Sequence, residues 1–151
     1  MTLIYRHLIN ILFPLIIILI FLRVWFKKED KNRFKEKLFI SSFNITRNKD
    51  KKLIWFHAAS IGEIKSIIPL IKKLNTNNKF EFLITSVTTS SAKLILEQLS
   101  NEKNIIHRFF PIDKQSIVIK FLESWSPDLI LFVDSEIWPN FLFEIKKKIF
   151  H

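Results

Sequence analysis

Residues 57–63, with the sequence HAASIGE, combine a serine, the only glycine of the chain and a carboxylate. Ser60 and Glu63 have the spacing of a capping box, in which each side chain satisfies a free amide at the start of a helix. Alternatively, Glu63 is a general base kept ionised by the helix dipole, and Gly62 lets a substrate approach the backbone. The spacing alone favours the capping box.

Residues 134–140, with the sequence DSEIWPN, are a second segment whose residue types could bind a ligand. Asp134 and Glu136 are carboxylates two residues apart, and Trp138 and Asn140 follow them. Carboxylates beside an aromatic face suit the binding of a sugar, because the ring covers apolar sugar faces while the oxygens accept from hydroxyls. The segment therefore predicts a carbohydrate-binding loop.

A hydroxyl-rich segment at residues 85–91, TSVTTSS, offers Thr88 and its neighbours as helix N-caps or as hydrogen-bonding groups for a polar ligand. Asp113 is interpreted as the N-cap of the helix that follows it. The four histidines lack metal-ligand spacing, and the absence of cysteine excludes zinc–thiolate sites and thiol nucleophiles. A single glycine also excludes phosphate loops of the Walker and dinucleotide-binding types. The sequence predicts no metal and no cofactor.

Short apolar runs that alternate with helical spacing place these segments at strand ends. The predicted strands are Leu53–His57, Phe80–Thr85, Asn104–Phe110 and Leu129–Val133. The apolar stripes that follow them predict helices over Ile64–Leu74, Ala92–Leu99, Ile117–Trp125 and Ile137–Ile149. Repeated strand–helix units predict an α/β fold, a Rossmann-like parallel sheet with flanking helices. Ligands of such sheets bind beyond the carboxyl ends of the strands, where the polar segments lie.

The chain has a net charge of +10, and residues 27–52 hold most of it, with ten Lys and Arg against four acids. An uncharged apolar run, Leu8–Leu22, precedes this basic stretch. No small-residue cleavage site follows the run, which disfavours a signal peptide. A buried core helix stays possible, but a membrane anchor, spanning or embedded at one face, fits better. The predicted division is a membrane helix at 1–26, a basic juxtamembrane linker at 27–52 and an α/β domain at 53–151.

The basic stretch predicts a partner as well. It directly follows an apolar run, and this arrangement suits the anionic lipids of a cytoplasmic membrane surface. Nucleic-acid binding is disfavoured, because the bases do not interleave with aromatics in a folded domain. The sequence therefore predicts an anionic membrane surface as a partner and no nucleic acid.

Four segments together resemble one family. HAASIGE (57–63), TSVTTSSA (85–92), PID (111–113) and DSEIWPN (134–140), in this order after an apolar segment, resemble the 3-deoxy-D-manno-octulosonic acid (Kdo) transferases. The resemblance covers essentially the whole chain. It implies an inverting two-domain GT-B glycosyltransferase that moves Kdo from CMP-Kdo to a lipid A precursor in lipopolysaccharide core biosynthesis. It also implies a place at the cytoplasmic face of the bacterial inner membrane, and no metal at these sites.

The resemblance assigns roles to individual residues. Glu63 is the implied catalytic base, and the implied substrate-binding residues are Ser60, Gly62, Thr88, Asp134, Glu136, Trp138 and Asn140. The chain departs from the family in its hydroxyl segment, which lacks the proline and glycine of T-P-T-G, and near Glu36, where the glycines of G-E-R-x-G are missing. No segment is assignable to CMP-Kdo. The chain is therefore expected to be the N-terminal, acceptor-side part of the enzyme, with the donor site in a C-terminal domain that it lacks, and to be inactive alone.

Two other functions remain open at this stage. One is a non-enzymatic, membrane-anchored α/β fragment whose polar loops are only helix caps. The other is a different GT-B transferase that acts on a lipid-linked sugar; it would share the membrane anchor but not the combination of S-I-G-E and W-P-N.

Overall fold

A computed structural model describes residues 2–38, 47–76, 78–102, 104–133 and 138–149. Its helices are α1 (Thr2–Trp25), α2 (Lys35–Leu38), α3 (Ile61–Asn75), α4 (Thr89–Leu99), α5 (Gln115–Trp125) and α6 (Pro139–Ile149). Its strands are β1 (Lys52–Ala58), β2 (Phe80–Ser86), β3 (Ile105–Phe109) and β4 (Leu129–Val133). The chain divides into two compact units: unit 1 comprises residues 1–43, 111–124 and 137–151, and unit 2 comprises residues 44–110 and 125–136.

Unit 2 contains a four-stranded sheet with the order β3-β2-β1-β4, in which every neighbouring pair is parallel. Trp55 on β1 lies opposite Leu83 on β2 and Ile130 on β4. A central parallel strand is buried on both faces, which explains why β1 reads as an unbroken apolar run. The predicted parallel α/β sheet is confirmed, and the four strands lie within one residue of their predicted ends.

The core of unit 2 joins one face of the sheet to α3 and α4. Alternate residues of the strands, such as Phe56 and Ile84, pack with helix residues that recur every three or four positions, such as Ile64 and Ile71. Ile95 of α4 completes this cluster. Burial of an aliphatic side chain of this size stabilises the fold by about 1.5–3 kcal/mol. The apolar residues on both sides of this core therefore follow their local period, which is two in the strands and 3.6 in the helices.

Unit 1 contains α1, α2, α6 and most of α5. Ile20 of α1 packs with Phe34 and Leu38 in a small apolar cluster beside α2. Glu29 is buried, and its carboxylate accepts from Lys37 Nζ at 2.7 Å and from Arg23 Nε at 2.8 Å. Residues 27–52 are predicted to be a basic juxtamembrane linker, and that division of the chain stays a prediction. Within this range, α2 and the ion pairs of Glu29 order part of the stretch. Residues 39–46 lie outside the described residues.

Candidate functional site

The loop between β1 and α3 forms a capping box. Ser60 has extended backbone angles, and its hydroxyl oxygen accepts from Glu63 N at 3.3 Å. In return the Glu63 carboxylate accepts from Ala59 N at 2.8 Å and from Ser60 Oγ at 2.7 Å. The separation of three positions is enough to build this arrangement, because Ser60 and Glu63 come close together as soon as the first turn of α3 forms. The structural interpretation of the spacing is confirmed.

The same hydrogen bonds leave Glu63 able to act on a ligand. An ionised carboxylate has about four lone-pair directions, and the described donors occupy two of them. The Glu63 side chain is half-exposed at the carboxyl end of β1, where α3 begins. The capping box fixes the orientation of the carboxylate and does not hide it. A substrate hydroxyl could therefore donate to Glu63 without breaking the helix cap.

Gly62 is exposed in the first turn of α3, and nothing in the described structure requires a glycine there. Its backbone has no positive φ, and among the described residues a Cβ at this position would meet only Ser60 Oγ, at 3.9 Å. Glycine in a helix costs about 0.5–1 kcal/mol relative to alanine. The described structure thus gives no steric reason for a glycine at position 62, and a part for Gly62 in ligand binding stays a prediction.

Thr88 caps α4 and lies next to the capping box. Its hydroxyl oxygen accepts from Ser91 N at 3.1 Å, and the hydroxyl donates to Ser91 Oγ at 2.8 Å. Ser91 is fully buried, and its own hydroxyl donates to Ala59 O at 3.3 Å. The loops after β1 and β2 are therefore joined, so Ser60, Gly62, Glu63 and Thr88 gather at one edge of the sheet. Two helix N-termini face this edge, and both favour electron-rich ligand groups.

His57 is a buried group beside this edge, and the sequence analysis assigned it no functional role. Its Nδ1 lies 3.0 Å from Thr85 Oγ1, its ring packs against Phe110 at 3.9 Å between centroids, and its Nε2 has no hydrogen-bond partner among the described residues. Burial lowers the pKa of His57 to about 4, while a hydrogen bond with the backbone of Thr85 and the charge of Glu63 oppose that shift. The imidazole is therefore neutral at pH 7. Its position as the first residue of HAASIGE was the available signal.

The segment 134–140 is described only in its last part. Asp134 and Glu136 lie outside the described residues, as does Ile137 at the predicted start of the last helix. Trp138 is half-buried, and its carbonyl accepts the first backbone hydrogen bond of α6, from Leu142 N at 3.0 Å. Trp138 and Asn140 belong to unit 1, whereas the residues around Glu63 belong to unit 2. Sugar binding by these four residues stays a prediction.

Asn140 is buried and makes its contacts within unit 1. Its Nδ2 donates to Asp113 O at 2.6 Å, and its Oδ1 accepts from Arg6 Nε at 3.1 Å. Both ends of the amide are thus used by the protein itself. A part for Asn140 in ligand binding would be that of a positioning residue for the loop before it.

Asp113 does not have the role that its sequence position suggested. The interpretation as the N-cap of the following helix, α5, is wrong, because its carboxylate caps α6. It accepts from Asn140 N and Phe141 N, both at 3.0 Å, and from Tyr5 Oη at 2.8 Å. Burial raises the pKa of Asp113, and the hydrogen bonds from Asn140, Tyr5 and Phe141 oppose that rise. The carboxylate therefore holds the first turn of α6, which begins within the W-P-N segment.

Sequence comparisons identify a family and several relatives of this chain. The family described as "3-Deoxy-D-manno-octulosonic-acid transferase (kdotransferase)" matches residues 32–150. The chain belongs to this family. A relative from Rickettsia bellii, "3-deoxy-D-manno-octulosonic acid transferase", is 37% identical over 145 residues, which cover 95% of the chain and 34% of the relative. A relative of the same name from Rickettsia prowazekii is 33% identical over 181 residues, covering 92% and 38%.

A more distant relative carries a broader name. A "Bifunctional glycosyltransferase/methyltransferase" from Fusobacterium nucleatum is 28% identical over 123 residues, which cover 82% of the chain and 19% of the relative. The chain thus spans about a third of the length of the first two relatives. The resemblance to Kdo transferases is confirmed, together with a fold consistent with the N-terminal domain of a GT-B enzyme. In the described parts of the chain, His, Asp and Glu side chains form no group of three that could hold a metal ion.

Proposed function

We propose that the chain is the acceptor-side part of an inverting GT-B glycosyltransferase that moves Kdo from CMP-Kdo to a lipid A precursor. The observation that carries the proposal is the Glu63 carboxylate, held by a capping box at the carboxyl end of β1, half-exposed and with free acceptor capacity. Membership of the Kdo transferase family supports the sugar and the reaction class. The proposed location is the cytoplasmic face of the bacterial inner membrane.

In the proposed reaction Glu63 is the general base. A hydroxyl of the lipid A precursor donates to the carboxylate and loses its proton to it while its oxygen attacks the anomeric carbon of Kdo. The bond between that carbon and the phosphate oxygen of CMP breaks on the opposite face, so the configuration inverts and CMP leaves with the electron pair. The dipole of α3 favours the ionised carboxylate before the attack. A base of this kind contributes about 10²–10⁴-fold to the rate.

The other proposed contacts hold the acceptor. Ser60 fixes the carboxylate, Gly62 leaves room at the backbone, and Thr88 offers a hydroxyl from the neighbouring loop. Among the residues of the W-P-N segment, Trp138 would cover a sugar face, while Asn140 would position the loop. Asp134 and Glu136 complete the set as acceptors for sugar hydroxyls.

The proposed division of labour leaves the donor to another part of the enzyme. No residue of this chain is assigned to CMP-Kdo, and the first two relatives are about three times as long. We therefore expect the 151-residue chain alone to bind acceptor but not to turn over. Fusion to the C-terminal remainder of the Rickettsia bellii relative supplies the expected donor domain and makes an assay possible.

The test is Glu63→Gln in that fusion. Glutamine keeps the oxygen that accepts from Ala59 N and retains a capping box, but it cannot take the proton. We expect kcat to fall at least about 100-fold while KM for the acceptor and the melting temperature stay close to those of the parent. Glu97→Gln, an exposed change in α4, is the matched control. Unchanged kcat in Glu63→Gln would exclude Glu63 as the base.

The capping box itself favours a second candidate, a non-enzymatic membrane-associated fragment in which these loops only cap helices. The two candidates differ in acceptor binding by the chain alone. If the chain has a specific site, it binds lipid A precursor saturably and keeps most of its affinity in 0.5 M salt. Gly62→Ala should then lower the affinity. A fragment without a site shows only charge attraction, which salt removes.

A further inference from the structure

Helix α1 is long and apolar enough to cross a membrane and is mostly exposed, yet one of its faces contacts the rest of unit 1 near both ends and in the middle. In its first turns Tyr5 donates to Asp113, and Arg6 donates to Glu144 at 2.9 Å. In the middle, Lys114 Nζ lies 3.8 Å from the centroid of the Phe13 ring. Near its end, Ile20 packs with Phe34 and Leu38. Arg6, Phe13 and Ile20 are each seven positions apart, which is two helical turns, so they lie on one face of the helix.

The opposite face of α1 is exposed and, apart from His7 near its beginning, apolar. Its central residues are separated by four or three positions, and all are large hydrophobics: Ile4, Leu8, Ile11, Leu15, Ile18, Leu22 and Trp25. We call this set the outer stripe. Ile11 in its middle is 76% exposed and Trp25 at its end is 83% exposed. A stripe of about 32 Å, at 1.5 Å per residue, far exceeds the scattered apolar residues of an ordinary soluble surface.

The attachments at the two ends of α1 oppose a transmembrane orientation. Arg6 pairs with Glu144 and Arg23 pairs with Glu29, and these arginines are about 26 Å apart along the helix axis. The hydrocarbon core of a bilayer is about 30 Å thick. A spanning α1 would carry Lys114 and Glu144 into hydrocarbon or to the opposite surface of the membrane, or it would have to break its contacts with them. Either event is costly, because each buried ion would lose its partner or its water.

We propose that α1 does not span the membrane but lies parallel to its surface, with the outer stripe inserted among the lipids of one leaflet. The occupant of the stripe is an anionic lipid surface. Four cations stand at the end of α1 and directly after it, at Arg23, Lys27, Lys28 and Lys31, and Lys27, Lys28 and Lys31 are exposed. They match phosphate groups at the depth where an interfacial helix meets the headgroups. A second copy of the chain would cover the stripe, but it has a net charge of +10 of its own and matches these cations less well than anionic headgroups do.

The proposal rests on the membrane association included in the proposed function, and it is independent of sugar transfer. The chain lacks cysteine, so single cysteines can be introduced without background labelling. Ile4→Cys, Ile11→Cys and Ile18→Cys, each carrying a nitroxide, report depth in vesicles of phosphatidylethanolamine and phosphatidylglycerol. An in-plane helix places all three labels at the same shallow depth. Gln98→Cys, at an exposed position of α4 in unit 2, is the control for a label outside the lipid.

A topology measurement complements the depth measurement. His7→Cys and Lys28→Cys lie near opposite ends of the helix and are both exposed. We expect a membrane-impermeant maleimide added outside sealed vesicles to label both positions to the same extent. Replacing Lys27, Lys28 and Lys31 with glutamine should weaken partitioning at least about tenfold in these vesicles and change little in phosphatidylcholine vesicles.

Each alternative outcome overturns the proposal in a different way. Labels at Ile11 and Ile18 much deeper than the label at Ile4, with only one of the two ends labelled from outside, show a spanning helix. No binding to vesicles removes the proposed membrane association as well. Efficient cross-linking of Ile11→Cys between two chains without lipid shows that a second copy covers the stripe. Loss of activity in Glu63→Gln affects none of these readouts.

Discussion

Helices α3 and α6 both have a carboxylate that accepts backbone N–H groups at the N-terminus, but the two carboxylates are used differently. At α3 the carboxylate is Glu63, a residue of the helix itself, and it stays half-exposed. At α6 it is Asp113, 27 residues before Asn140, and only 1% of the residue is exposed. A capping carboxylate that belongs to the helix itself and is partly exposed can still accept a hydrogen bond from a ligand. A buried capping carboxylate from a distant segment is occupied by hydrogen bonds within the protein.

The largest expected effect is that of removing the distant cap. Asp113→Ala leaves the hydroxyl of Tyr5 and the amides of Asn140 and Phe141 without their acceptor in a buried site. We expect the free energy of unfolding, measured by chemical denaturation in mild detergent, to fall by about 4 kcal/mol. Asp113→Asn keeps one oxygen and should recover part of the loss. A fall below about 1 kcal/mol would make the two caps equivalent.

The next largest effect is the pH dependence that His57 gives to the free energy of unfolding. His57 has a folded-state pKa of about 4 because it is buried, against about 6.5 when unfolded. The unfolded chain therefore takes up a proton first, so this stabilisation is complete above pH 6.5 and is lost as the pH falls towards 4. The loss in the free energy of unfolding is up to about 3 kcal/mol between pH 7 and pH 4.

Paired variants isolate that contribution from the titration of carboxylates. His57→Gln should show a shallower decline of the free energy of unfolding between pH 7 and pH 4, whereas His7→Gln, at an exposed position, should follow the parent. Identical slopes in all three proteins would mean that His57 is not kept neutral by burial.

A smaller effect is expected from the local cap. Ser60→Ala removes the oxygen that accepts from Glu63 N and the hydroxyl that donates to the carboxylate. These groups can turn to water, so the free energy of unfolding should fall by only about 1 kcal/mol. Ser60→Asp can still cap the helix and should restore most of it. A loss as large as that of Asp113→Ala would contradict the distinction between exposed and buried caps.

The smallest effect, and one of opposite sign, belongs to Gly62. Because a Cβ fits among the described residues, Gly62→Ala should raise the free energy of unfolding by about 0.5–1 kcal/mol. In the fusion with a donor domain, the same change should raise KM for the acceptor. A more stable protein with unchanged KM would show that no ligand approaches the backbone here.

Much of unit 2 could be predicted because its signals are local. The apolar run of β1 and the stripe of α3 follow from the strand and helix periods, and the helix start follows from Ser60 and Glu63. Parallel order also follows, because each strand is separated from the next by a helix. The role of Glu63 beyond capping was suggested only by resemblance to a family, since spacing cannot distinguish a cap from a base.

The same reasoning failed where partners are far apart in sequence. Asp113 stands just before α5, so its spacing pointed to the wrong helix. The apolar segment of α1 was compatible with a core helix, a span or an interfacial helix, because composition does not show which residues have partners. His57 carried no metal spacing, and its burial against Phe110 depends on chain segments that meet only in the folded sheet.

The sequence by itself determined the strand–helix order, the parallel sheet of unit 2, the capping box and the family to which the chain belongs. These features depend on residues that are neighbours or one helical turn apart, whose geometry is fixed once the local structure forms. Only the tertiary structure decided that Asp113 caps α6 and that His57 is buried and neutral. It also decided that one face of α1 contacts the rest of unit 1 while the outer stripe is exposed. Burial and long-range hydrogen bonds arise when distant segments pack together, and no local spacing encodes that packing.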